Sequence, residues 1–187
     1  MRLPRLFRAD RRDLVAQELY GAAVRQARLP AFYRQGEVPD TLDGRFDLVS
    51  LHVFLVMRRL TAEGAAGRDL AQRLYDVMFA DMDRSLRELG VGDVGVGKRV
   101  KKMSEAYFGR VAAYHEALEA ADDTALEAAL RRNLYRGGGA GEDALGALGR
   151  YVRAAAAALG AQAIGADGPG MPAFPDPFPG PPEGFEP

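Results

Sequence analysis

DVMFADMDRSLRELGVGDVGVGKRVKKM, Asp76 to Met103, decides how the chain is built. An acidic helical segment runs into glycines at 90 and 92, and the chain then presents Lys98, Arg99, Lys101 and Lys102 within five residues. Apolar residues recur at helical spacing on both sides of the break. Gly90 and Gly92 suit the positive-φ conformations by which a chain leaves one helix and enters another. Val91, Val94 and Val96 are placed to pin that turn to a core. The reading is an αα-hairpin with a stiff corner. Cations in the first turn of a helix oppose its dipole by roughly 0.3–1 kcal/mol each. If the second helix begins at Asp93, the four cations lie beyond that turn and the conflict fades.

The same periodicity extends outward. Asp10 can cap a first helix with Leu14, Val15, Leu19, Ala22 and Ala23 inward, ended by Leu29-Pro30. Residues 34–44 carry Gly, Pro and Asp-Gly signals and read as a loop. A second helix covers about 45–62, with Phe46, Val49, Val53, Phe54, Met57 and Leu60 on one side. The third covers about 68–89, with Tyr75, Phe79, Met82, Leu86 and Leu89 as its stripe. The fourth presents Val96, Val100, Met103, Tyr107, Val111, Tyr114 and Leu118. Asp122-Asp123 introduces a fifth with Leu126, Ala129, Leu130 and Leu134, and Leu145, Leu148, Val152 and Leu159 mark a sixth. Alternating strand patterns are scarce. The expectation is an all-α single domain of about six helices over residues 1–160. A Pro/Gly-rich tail over 161–187 is expected to be flexible, because such composition buries too little surface to order itself. Its Phe174, Phe178 and Phe185 are suited to docking on a partner or on the domain.

Composition narrows the function classes. The chain has 187 residues, 48% of them hydrophobic, which is enough for a globular core. Net charge is -1, from 25 basic and 26 acidic side chains, so attraction to a polyanion must come from a local patch. There is no cysteine, which excludes disulfides, thiolate metal sites and a cysteine nucleophile. The longest apolar run, LVSLHVFLVM at Leu48 to Met57, is far short of the ~20 residues that span a bilayer. The arginine-rich start, MRLPRLFRADRRDL, lacks the apolar stretch of a secretory signal. It lacks serine and meets Asp10 and Asp13 early, unlike a mitochondrial presequence. Abundant Ala, Gly and Arg suggest a GC-rich bacterial genome.

Three motifs invite chemistry. Gly92 to Lys98 has phosphate-loop spacing, but Arg99 stands where Ser or Thr should hold magnesium, and the loop follows a helix instead of a strand. Nucleotide binding is not expected. Asp76, Asp81 and Asp83 form an acidic set, with Asp76 and Asp83 on one face. Asp83 can pair with Arg87, and Arg84 with Glu88. Asp81 shares a row with Leu74 and Met78, so it is expected to be partly buried, with Lys98 or Lys102 across the hairpin as partner. Aspartate-rich helices can also hold magnesium and a diphosphate. This gives one alternative, a magnesium-dependent enzyme acting on isoprenoid diphosphates through Asp76, Asp81 and Asp83. His52 and His115 lack ligands at metal spacing, Glu119 four after His115 being a weak match. No serine sits in a G-x-S-x-G setting. The basic cluster can be a solvated helix face, with Glu105 partnering Lys101, or a contact surface.

LYDVMFADMDRSLRELGVGDVGVGKRVKKMSEAYFGRVAAY, Leu74 to Tyr114, resembles the ubiquinol–cytochrome c chaperone family. DTLDGRFDLVSLHVFLVMRRL, Asp40 to Leu60, is similar to that family's preceding helix, and the match extends over about Leu14 to Tyr135. The resemblance implies an assembly factor for the cytochrome bc1 complex, the respiratory chain complex III, with cytochrome b as client. It implies no catalysis, cofactor or metal. It further implies a bacterial, cytoplasmic protein working peripherally at the inner membrane, with no DNA partner. Whether a small partner protein is needed stays open. So does the choice among a ribosome, an anionic membrane and acidic client loops for the cations. Asp76, Asp81, Asp83, Lys98, Arg99, Lys101 and Lys102 are the expected partner-binding residues.

Overall fold

A computed structural model describes residues 10–137, 139–165 and 170–179. Seven helices and no strand appear among them: α1 (Arg11–Ala27), α2 (Ala31–Arg34), α3 (Leu42–Thr61), α4 (Ala65–Glu88), α5 (Asp93–Glu119), α6 (Thr124–Asn133) and α7 (Glu142–Gly160). The extra element is α2, a single turn just before the stretch expected to be a loop.

The centre of the domain is α3. Of its 20 residues 13 are buried, including Leu48, Leu51, Val53, Leu55 and Val56 around its whole circumference. A helix apolar on every side needs neighbours on every side. It packs against α1 and α4 on one flank and α7 and α5 on the other, while α6 bridges α5 and α7. Thr41 starts α3 three residues earlier than expected, its hydroxyl accepting from the Gly44 amide at 3.1 Å. At α1 the expected cap holds, Asp10 accepting from the Arg12 amide at 3.1 Å, but Leu14 is exposed instead of inward.

α4 carries two apolar rows because it is covered on two sides. Leu70, Leu74 and Met78 are fully buried. Tyr75 and Phe79 turn toward α5, where the Tyr75 and Ser104 hydroxyls meet at 2.6 Å and Phe79 stands edge-on to Tyr107. The row chosen from sequence catches only the second set, and its last member, Leu89, is 60% exposed. At the α4–α5 corner Gly90 has φ +81, a conformation that residues with side chains rarely adopt. Gly92, expected to do the same, has φ -66 and extended geometry. Val96 is buried, whereas Val94 is 77% exposed and pins nothing. Arg87 holds the corner ionically, reaching Asp83 at 2.6 Å and also pairing with Asp93.

The tail is described over residues 161–165 and 170–179. Residues 170–179 lie on the domain: Phe174 meets His52 edge-on at 5.3 Å and Phe178 meets Phe32 at 5.9 Å. Gln162 clamps Ala173 through two hydrogen bonds of 2.7 and 2.8 Å, and Gln26 donates to the Pro175 carbonyl at 3.1 Å. Prolines stiffen such an extended strap, so docking it costs little chain entropy. Phe174 and Phe178 thus dock on the domain, one of the two roles expected for the phenylalanines of the tail. Phe185 and the arginine-rich start up to residue 9 lie outside the described residues.

Candidate functional site

Where α1, α3 and α4 meet, the surface opens into a groove of about 580 Å³. A second hollow of about 350 Å³ lies among α3, α4 and α5. Leu42, Phe46, Met82 and Ser85 line both, so the two form one trough along the α3–α4 seam. Its apolar lining includes Val49, Leu86 and Met103. Arg28, Arg34 and Arg45 stand along the first half, and Arg99, Lys102, Arg110 and Arg136 along the second. Leu42 and Phe46 on the N-terminal turns of α3 and Met82 and Ser85 on α4 form the two sides of the seam.

A buried carboxylate braces the second half. Asp47 has no exposed surface and ion-pairs with Arg110 at 2.8 Å and Arg136 at 3.2 Å. Arg136 also reaches Asp43 at 3.2 Å, and Arg110 lies over the Phe46 ring at 5.8 Å. Burial raises the Asp47 carboxyl to about 6, with both guanidinium groups pulling the other way. The arrangement fixes two cations at the trough wall.

The acidic set is dispersed. Asp81 is at the trough, as its predicted partial burial required, but its partners are Tyr20, which donates to it at 2.8 Å, and Arg84. Neither Lys98 nor Lys102 reaches it, because both lie on α5 while Asp81 faces α1. Burial first, and then the Asp81 contact, raise the Tyr20 phenol. Asp83 pairs with Arg87 as expected. Asp76 is exposed, accepts from Gln72 at 2.9 Å and lines a different hollow with Asp13, Asp69 and Arg73. Among the described residues no three Asp, Glu or His side chains are placed to hold a metal ion. The magnesium–diphosphate alternative thus loses the convergence it needs.

The basic cluster is divided as well. Because α5 begins at Asp93, all four cations lie past its first turn. Arg99 and Lys102 line the trough, while Lys98 and Lys101 are exposed outside it. Lys101 comes within 3.9 Å of Glu105. His52 is fully buried, with Nδ1 at 2.8 Å from the Leu48 carbonyl and Nε2 at 2.8 Å from the Tyr151 hydroxyl. Nδ1 therefore donates to Leu48 and Nε2 accepts from Tyr151; burial holds the imidazole down to about 4. It is a structural histidine.

Sequence reading missed Arg28, Arg34, Arg110 and Arg136 as trough residues. Each sits on a different stretch of chain, so no local spacing links them. Phe46, Met82 and Leu86 carried a signal, their places in apolar stripes, but that signal also fits plain core.

An all-helical domain with an open apolar trough between charged walls has the form of a binding module. The sequence model of the ubiquinol-cytochrome C chaperone family matches residues 34–166, and the chain belongs to that family. The crystal structure of the Cbp3 homolog from Brucella abortus superposes with a TM-score of 0.76 at 38% identity, covering 89% of this chain and 92% of that one. The ubiquinol-cytochrome-c reductase complex assembly factor 1 of Xenopus laevis is 28% identical over 121 residues, 65% of this chain and 60% of the relative. Its Homo sapiens counterpart is 26% identical over 122 residues, 65% of this chain and 40% of the relative. The chain spans 60% or less of the length of these two curated relatives.

Proposed function

We propose that this chain is an assembly factor for the ubiquinol–cytochrome c reductase complex that holds newly made cytochrome b non-covalently until partner subunits arrive. Family membership and the names of the relatives support the target complex. The observation that carries the mode of action is the trough shared by Leu42, Phe46, Met82 and Ser85. An amphipathic client segment would lay its apolar side on that floor and set its polar groups against the arginines of the walls. Asp81, Arg99 and Lys102 meet the client in this reading. Asp76, Asp83, Lys98 and Lys101 stand outside the trough and are contact residues for other partners, a small partner protein among them.

The site of action is the periphery of the inner membrane, where the client is inserted. No helix among the described residues is long and apolar enough to cross a membrane. Deleting the gene should lower the level of the bc1 complex and spare unrelated membrane complexes. Met82→Glu, which puts a charge on the trough floor without touching the core beneath, should abolish capture of cytochrome b from detergent-solubilised membranes. Normal bc1 levels in the deletion strain, or full capture by the variant, would refute the reading.

A further inference from the structure

The α4–α5 corner combines two features that seldom occur together on a soluble surface. Between Arg87 and Lys102 stand five cations and only two carboxylates, Glu88 and Asp93, in a chain whose overall charge is -1. Asp93 is already engaged by Arg87. Lys98, Arg99 and Lys102 take no ion-pair partner among the described residues. Beside them are three apolar side chains in water: Leu42 and Leu89, each 60% exposed, and Val94, 77% exposed. Leu42, Leu89, Arg99 and Lys102 line the same hollow, and Val94, Lys98 and Lys101, spaced four and three residues apart on α5, share one exposed face of that helix beside it. Asp43 lines that hollow too, but Arg136 holds it at 3.2 Å.

We propose that this corner is a docking surface for an anionic lipid bilayer, with Leu89 and Val94 entering the headgroup layer and Lys98 and Lys101, both exposed outside the trough, meeting lipid phosphates. An RNA surface would use the cations but leave the apolar tips in water. A bilayer interface uses both, since buried apolar area and attraction to anionic headgroups act together there. The orientation follows: the outer face of α5 that carries Lys98 and Lys101 lies toward the membrane, while the trough stays accessible to a client. The inference rests on the proposed work at a membrane, but residues outside the trough test it separately.

The full chain should be sedimented with phosphatidylcholine vesicles made with and without phosphatidylglycerol. Binding should require phosphatidylglycerol and weaken with salt. Each cation near such a surface is worth roughly fivefold in partitioning, so Lys98→Glu with Lys101→Glu should lower it at least about twenty-five-fold. Val94→Ser should lower it roughly three- to tenfold. Both variants should keep wild-type helical circular dichroism and full client capture, while Met82→Glu should keep vesicle binding. Arg68→Glu, an exposed cation at the far end of α4, should change nothing. Equal binding to neutral vesicles, or none to anionic ones, would overturn the proposal. So would Val94→Ser with undiminished vesicle binding, because the surface would then be purely electrostatic and better matched to RNA.

Discussion

Replacing Phe174 with alanine should loosen the C-terminal strap and wet the histidine beneath it. Phe174 is partly buried and stands edge-on to His52, ring centroids 5.3 Å apart. Burying a whole large apolar side chain contributes roughly 1.5–3 kcal/mol, of which about half applies here. An edge-to-face pair adds about 0.5–1.5 kcal/mol. The expected loss is about 2 kcal/mol, a fall of roughly 4–8 °C in Tm for a chain of this size. The second effect is on protonation. With Phe174 in place, burial holds His52 down to about 4. Without it, water reaches the ring and its pKa climbs toward the ordinary value of about 6.5. The chain has two histidines, and His115 is exposed, so proton NMR follows both in one titration. In the wild type one imidazole signal should stay flat down to about pH 5. In Phe174→Ala that signal should move at higher pH, and proteolysis within residues 170–179 should accelerate. A variant with unchanged Tm and an unchanged second titration would refute the docked strap and the argument built on it.

Asp47 and His52 should make opposite contributions to acid stability. With its carboxyl raised to about 6, Asp47 binds its proton more tightly when folded, so it adds stability at low pH that is lost as pH rises from about 4 to about 6. His52, lowered to about 4, contributes stability that is lost as pH falls from about 6.5 toward 4. Each is worth about 3 kcal/mol at most, so the two nearly cancel, and Asp47→Asn should expose the histidine's slope. Urea unfolding of that variant at pH 6.5 and 4.5 should show a steeper loss than the wild type; parallel profiles would count against the assignment. Gly67→Ala should cost about 2–4 kcal/mol, because its new methyl would lie 1.9 Å from the Leu60 carbonyl oxygen and force α4 off α3. A Tm within a degree of wild type would contradict that close approach. Arg153→Ala should cost about 1.5–3 kcal/mol by leaving the Ala120 and Asp122 carbonyls and the Asp123 carboxylate without their shared donor. Hydrogen exchange at the α5–α6 turn should rise in the same variant.

The helices could be read from the chain because each carries its own period and its own stops. Gly90, Asp10 and the α5 apolar row act through neighbours a few residues away, and the αα-hairpin around Asp76 to Met103 appeared as expected. The membership of the family was legible for the same reason, since its motifs lie within continuous stretches. Asp83 with Arg87 is a pair within one helix, so it too was visible. Asp81 shows where this runs out. Its partial burial followed from the row it shares with Leu74 and Met78, but its partner Tyr20 lies on α1, 61 residues earlier, and nothing in local spacing selects it.

The sequence by itself thus determined an all-α domain, its hairpin corner, its lack of thiol chemistry and its kinship. Tertiary packing decided which apolar residues became core and which became trough: Met78 and Met82 are the same residue one helical turn apart, yet Met78 is fully buried and Met82 lines the trough. It also scattered Asp76, Asp81 and Asp83, gathered arginines from four stretches of chain around one groove, and laid a proline-rich strap on Phe32 and His52. The physical reason is range. Backbone propensity and capping act over a turn or two of helix, whereas burial depends on which distant surfaces meet.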